Sequence, residues 1–211
     1  LLVSLIGILA VYDITRSAVI PDEWHFVTNT TMIAVVALFA AAGRLTATEL
    51  GLLRAHVPAG VRFGLAAAAV VAVALAVAVV TGIIDGSEPE VVGLTGNDVL
   101  WRALVEIPIA TVVLEELAFR GVMFALLARI VDTRRAFVIT AVLFGLWHVP
   151  GAADGWSAGA LGGVVGTVLV TALAGVVFQM LRQRSRSLVA PALAHWATNS
   201  LTLTAVWVAS R

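Results

Sequence analysis

The chain has 211 residues, 61% of them hydrophobic and 12% charged, with thirteen basic and thirteen acidic side chains and a formal net charge of zero. Soluble domains carry about 25% charged residues, so this composition, with a mean hydropathy of +1.03, marks an integral membrane protein whose first partner is the lipid bilayer. Every basic residue is Arg and there is no Cys, which excludes a basic face for nucleic acid as well as disulfides, thiolate nucleophiles and cysteine-ligated zinc.

In chain order, residues 1–12 read as the end of a first apolar helix, and the start at Leu1 inside that run reads as the interior of a longer protein. Residues 13–23 form a polar link, and 26–42 a second span near the lower length limit for a bilayer of about 30 Å. Residues 43–59 are amphipathic, with Thr48 expected to cap a short helix. An Ala/Val-rich third span covers 61–84, and 85–98, with Gly86, Pro89, Gly93 and Gly96 among acids, reads as a solvated loop. A long fourth helix covers 99–127 with a kink expected at Pro108. The fifth, 136–149, is short and stopped by Pro150 and Gly151. Spans six and seven are 157–181 and 188–209. The expected fold is all-α, a polytopic transmembrane bundle of about seven helices in one domain over 1–211, with a motif-bearing core at about 99–209 and a polar cavity within the bilayer.

Orientation follows from the short loops. Arg44, Arg54 and Arg62, then Arg129, Arg134 and Arg135, then Arg182, Arg184 and Arg186 fall in alternate loops, and the positive-inside rule assigns that side to the cytoplasm. The opposite loops are acid-rich. The expected home is the cytoplasmic, or plasma, membrane.

Glu115, Glu116 and Arg120 lie within six residues of the fourth helix. Ionisable groups are expensive in hydrocarbon, so three together imply a polar cavity or a functional site. Glu116 and Arg120, four apart, share a helix face and are expected to pair, which turns Glu115 toward something else. At about 1.5 Å per residue from the nearest cytoplasmic arginine, Glu115, His148 and Asn199 sit about 20 Å deep and His195 about 14 Å. Singly, each histidine has a reading as a satisfied core residue and Asn199 as helix-to-helix glue. Their convergence on one level favours a site.

Glu115-Glu116-x-x-x-Arg120, Phe144-x-x-x-His148 and His195-x-x-x-Asn199, in this order, resemble the CPBP (CAAX protease and bacteriocin-processing, or Abi) intramembrane protease family over about 101–201. The resemblance implies an intramembrane endopeptidase in which Glu115 and His148 activate the attacking water and His195 and Asn199 stabilise the oxyanion. Glu116, Arg120 and Phe144 are then supporting residues. The substrate it implies is a membrane-associated peptide or protein, such as a prenylated tail or a bacteriocin-like peptide. A cytoplasmic opening of the cavity is expected from the arginine clusters and from the cytoplasmic tails that prenyl-processing relatives cleave.

Three alternatives use the same chain differently. Glu115, His148 and His195 form a ligand set suited to Zn²⁺, although a metal-free glutamate mechanism without cofactor is favoured. A buried Glu/His/Arg network also suits a non-enzymatic carrier or scaffold. Gly155-Trp156-Ser157-Ala158-Gly159 matches a serine-nucleophile pattern but reads as a turn and helix start. Gly159, Gly162, Gly163 and Gly166 are expected to let helices approach closely.

Overall fold

The computed structural model describes residues 1–84, 86, 91–152 and 160–211, and among them every regular element is helical. Helix α1 (Leu2–Ala18) is followed by α2 (His25–Ala42), a one-turn α3 (Ala47–Leu50) and α4 (Val57–Val80). Next comes a continuous rod built from α5 (Gly96–Trp101), the π-wound stretch Arg102–Val112, α6 (Val113–Glu115), a second π-wound stretch Glu116–Met123, and α7 (Phe124–Ala128). Helices α8 (Thr133–Trp147), α9 (Val149–Ala152), α10 (Ala160–Ser185) and α11 (Val189–Ala209) complete the bundle. With the rod counted once, the described residues contain the seven long helices expected. Four segments, Asp22–Ala42, Ala47–Val80, Thr133–Ala152 and Leu161–Ser185, are long and apolar enough to cross a membrane.

Several boundaries differ from expectation for local reasons. Helix α1 runs through the supposed polar link, because Asp13 is buried and bound by Arg16 at 3.0 Å one turn on. The short helix α3 is capped by Thr46 rather than Thr48, in a reciprocal box with Glu49. Helix α8 starts at Asp132, whose side chain accepts from the Arg135 N–H, and its last turn closes at His148, two residues before Pro150, which has no N–H to continue the ladder. Around Pro108 the chain is π-wound, and the Val113 N–H donates to the Pro108 carbonyl five residues back. Gly155-Trp156-Ser157-Ala158-Gly159 lies outside the described residues.

Lipid gives no hydrophobic drive between helices, so close backbone approach at small residues holds such a bundle together. Helices α4 and α11 run parallel, with Gly60 against Ser187 and Gly64 against Leu193. Helices α8 and α10 run antiparallel, with Gly145 against Val168 and Ala172, and Gly175 against Ala141 and Phe144. The stripe Gly162, Gly163 and Gly166 does not serve this purpose, since a Cβ at any of the three would meet nothing within 4 Å. Exposed apolar rows such as Val73, Val77 and Val80 on α4 and Leu169, Val170 and Leu173 on α10 face outward, as a hydrocarbon surround requires.

The arginine-rich end is strapped shut. Arg129, just beyond α7, donates to the Gly43 carbonyl and to Glu49, both at 2.7 Å. Arg182 of α10 donates to the Glu49 carbonyl at 2.9 Å and packs against Gly51, whose φ of +73° and lack of Cβ make room for the guanidinium. Beneath lie Leu50, Val122, Met123, Leu126 and Leu127 of the core.

Glu49 has its carboxyl held below the ordinary value of 4.5, first by the Thr46 backbone N–H and then by the Thr46 hydroxyl and Arg129. A depressed carboxylate contributes stability that is complete above its unfolded pKa and is lost as pH falls through the folded value. Thermal unfolding in detergent should therefore show Tm falling below about pH 4.5, a carboxylate's ordinary range, by a few degrees less in Glu49→Gln than in the wild type. An identical acid slope in both proteins would remove Glu49 from the account.

Candidate active site

The second π-wound stretch of the rod begins at the acid pair. Glu116 and Arg120 form the expected i,i+4 ion pair, with Arg120 Nη1 at 3.0 Å from Glu116 Oε1 and both side chains 2% exposed. The guanidinium also lies 3.8 Å from the Phe144 ring centre and 5.2 Å from that of Phe178. Stacking of a desolvated cation on aromatic faces stabilises it by about 2 kcal/mol. Phe144 is thus part of the cation's support as well as core.

Glu116 has a second partner. Its Oε1 accepts from His195 Nδ1 at 2.8 Å, across from α11. A carboxylate oxygen can only accept, so Nδ1 carries the proton and Nε2 faces the interior of the site. Asn199, one turn on, donates from Nδ2 to that Nε2 at 3.2 Å. Phe178 of α10 stacks on the imidazole with ring centres 4.9 Å apart and 23° between planes.

Glu115 turns away from Arg120, as expected. Its Oε1 accepts from Trp147 Nε1 at 3.3 Å, while Oε2 has no hydrogen-bond partner and lies 3.8 Å from His195 Nε2. His148 is fixed by its backbone position, with Nδ1–H donating to the Phe144 carbonyl at 2.8 Å and its ring edge-on to Phe144 at 4.9 Å. Its Nε2 therefore keeps a lone pair. Six of the seven residues singled out by sequence, Glu115, Glu116, Arg120, Phe144, His195 and Asn199, come together on the rod, α8 and α11. His148 is placed against Phe144 alone among them.

Three contributors were not singled out. Trp147 holds Glu115, and its only sequence signal is its place next to His148. Phe178 lies in a featureless apolar run. Asp13, 2% exposed on α1, lines one cavity with Phe119 and Trp147. The signal there was an acid embedded in an apolar helix, masked by reading it as a link.

A cavity meets this group at Asn199. A space of about 700 Å³ separates the halves of the rod and α11 that lie away from the arginine clusters. Thr111, one turn before Glu115, and Asn199 line its inner end, and Ile84, Val91, Arg102 and Glu106 its outer end. The arginine end is filled by core side chains instead.

The family model for type II CAAX prenyl endopeptidases, Rce1-like, matches residues 96–201, half of the chain. The chain belongs to this family. The match begins at the first residue of the rod and includes all seven residues named above. No curated protein and no solved structure matches the chain. Membership makes the chain a CAAX-type intramembrane endopeptidase, with peptide as its substrate and the bilayer as its surroundings.

Trp147→Phe keeps an aromatic side chain, smaller than indole, and removes one charge-assisted hydrogen bond, an interaction of about 1.5–3 kcal/mol. Peptidase assays of purified protein should give a kcat lower by about 10-fold or more, since 1.4 kcal/mol is a factor of ten, with KM and Tm little changed. A fall in Tm with kcat intact would leave Trp147 a packing residue only.

Proposed function

We propose that this chain hydrolyses peptide bonds of a membrane-associated peptide or protein in the cytoplasmic membrane, with Glu115 as general base and no metal. The observation that supports this most directly is the Glu115 carboxylate, 7% exposed, with one oxygen held by Trp147 and the other unpartnered and facing His195. Water held by Glu115 and the Nε2 lone pair of His148 gives its proton to Glu115 as its oxygen bonds to the peptide carbonyl carbon. The carbonyl oxygen takes the negative charge. It meets the Asn199 N–H not used by His195, and His195 Nε2 whenever the ring carries its second proton. Collapse breaks the C–N bond, and the proton on Glu115 passes to the departing amine. General-base catalysis of this kind contributes about 10²- to 10⁴-fold, and one oxyanion donor about 10²- to 10³-fold. Glu116 and Arg120 hold His195 in the tautomer that turns Nε2 inward. A prenylated tail or a bacteriocin-like peptide is the proposed substrate type, and the endopeptidase family favours proteolysis over a carrier or scaffold.

Glu115→Gln should lower kcat by at least about 100-fold, the lower end for a general base, with Tm unchanged. Glu116→Gln should instead lower Tm, because breaking a buried pair costs about 3–5 kcal/mol. Wild-type turnover in Glu115→Gln defeats the assignment of the base.

The mechanism is proposed as metal-free, with Glu115 rather than a metal activating the water. Active protein should contain well under one equivalent of zinc and should be inhibited equally by phenanthroline and its non-chelating isomer. Stoichiometric zinc, removed with activity and restored with it, would replace this scheme by a Glu115, His148 and His195 metal site.

A further inference from the structure

We infer that Trp196 and Ser200 are positioning residues for the oxyanion pair: they clasp a rod carbonyl that Pro108 leaves without a donor, and so fix the roll of α11 that aims His195 and Asn199. The inference rests on the proteolytic reading above and adds to it the residues that hold its oxyanion donors in place. In a π-wound stretch each carbonyl accepts from the N–H five residues on, as the Pro108 carbonyl does from Val113. Five residues after Ala103 stands Pro108, which has no N–H to give. A buried backbone carbonyl needs another partner. The carbonyl of Ala103, a residue 7% exposed, accepts from Trp196 Nε1 at 2.7 Å and from the Ser200 hydroxyl at 2.9 Å, both on α11. A carbonyl oxygen has two lone pairs, and here both are used.

Each donor is next in sequence to an oxyanion residue, for Trp196 follows His195 and Ser200 follows Asn199. Neighbouring positions on a helix point about 100° apart, so α11 carries two polar stripes, one turned to the site and one to Ala103. Both stripes end on the rod. His195 Nδ1 donates to Glu116 at 2.8 Å, and the clasp is made a different distance along the rod, at Ala103. Two attachments hold the rotation of α11, which one could not. The close approach of Gly64 on α4 to Leu193 and the Ala190 carbonyl sets how near those helices lie. Hydrogen bonds are directional, and they set the roll. A roll of about 10° moves an atom at the rim of a helix about 5–6 Å in radius by about 1 Å. Misplacement of a reacting group by about 1 Å costs about 100-fold in rate.

Pro108→Ala separates repair of the carbonyl from aim of the site, because it returns an N–H to the rod for the Ala103 carbonyl while doing nothing for α11. Tm, and kcat and KM on a fluorogenic peptide, are measured in detergent on the full chain. The pair Trp196→Phe with Ser200→Ala should lower Tm and should lower kcat at least about 10-fold with KM little changed, as a small misplacement of reacting groups does. Adding Pro108→Ala to that pair should restore Tm and leave kcat low. Each single change, Trp196→Phe or Ser200→Ala, leaves the carbonyl one donor, and should lower kcat with Tm close to the wild type; these two variants carry the test if the pair does not fold. Wild-type kcat in the pair or in both single variants overturns the positioning role and leaves proteolysis in place. So does a kcat that recovers together with Tm when Pro108→Ala is added. Failure of the wild-type enzyme to cleave any peptide overturns the proteolytic reading and this inference with it.

Discussion

Arg120 is 1% exposed within an apolar helical bundle, and much of the interior is arranged around that cation. A buried charge survives only with compensation close by, and here Glu116 neutralises it while the Phe144 and Phe178 rings cover it. Phe144 comes from α8 and Phe178 from α10, so supporting the charge also fixes where those helices lie against the rod. The same Glu116 oxygen that receives Arg120 receives His195, which ties α11 into the network. One pair of opposite charges therefore orients an imidazole on a third helix. Glu115 is left outside that pair, with Oε2 unpartnered, as Glu116 Oε2 also is, and 3.8 Å from His195 Nε2.

Much of this was legible because two regular quantities were at work. The spacing of four put Glu116 with Arg120 and His195 with Asn199, and the fixed helical rise put residues from three helices at a common depth. Both inferences need only a helix and an arginine-marked membrane boundary. They tolerated the π winding of the rod, since the pairs they concern are local. What the sequence left hidden has no such regularity. Trp147 and Phe178 act through directions of side chains that depend on how α8 and α10 cross, and that crossing is set by Gly145 and Gly175 rather than by the more conspicuous Gly162, Gly163 and Gly166.

The residues outside the matched span are also part of the site. Tyr12 of α1 lies against Trp147, with ring centres 6.5 Å apart, and its hydroxyl is held by Thr28 at 3.2 Å and by Asn29 of α2. Trp147 in turn holds Glu115. The orientation of that carboxylate thus depends on two helices that the family match does not cover. Asp13, next along α1, adds a buried carboxylate on the cavity that Trp147 also lines, compensated locally by Arg16. The charges on the rod and α11 can therefore remain as they are while changes in α1 and α2 alter how Glu115 is held, which separates the part of the fold that sets the chemistry from the part that tunes it.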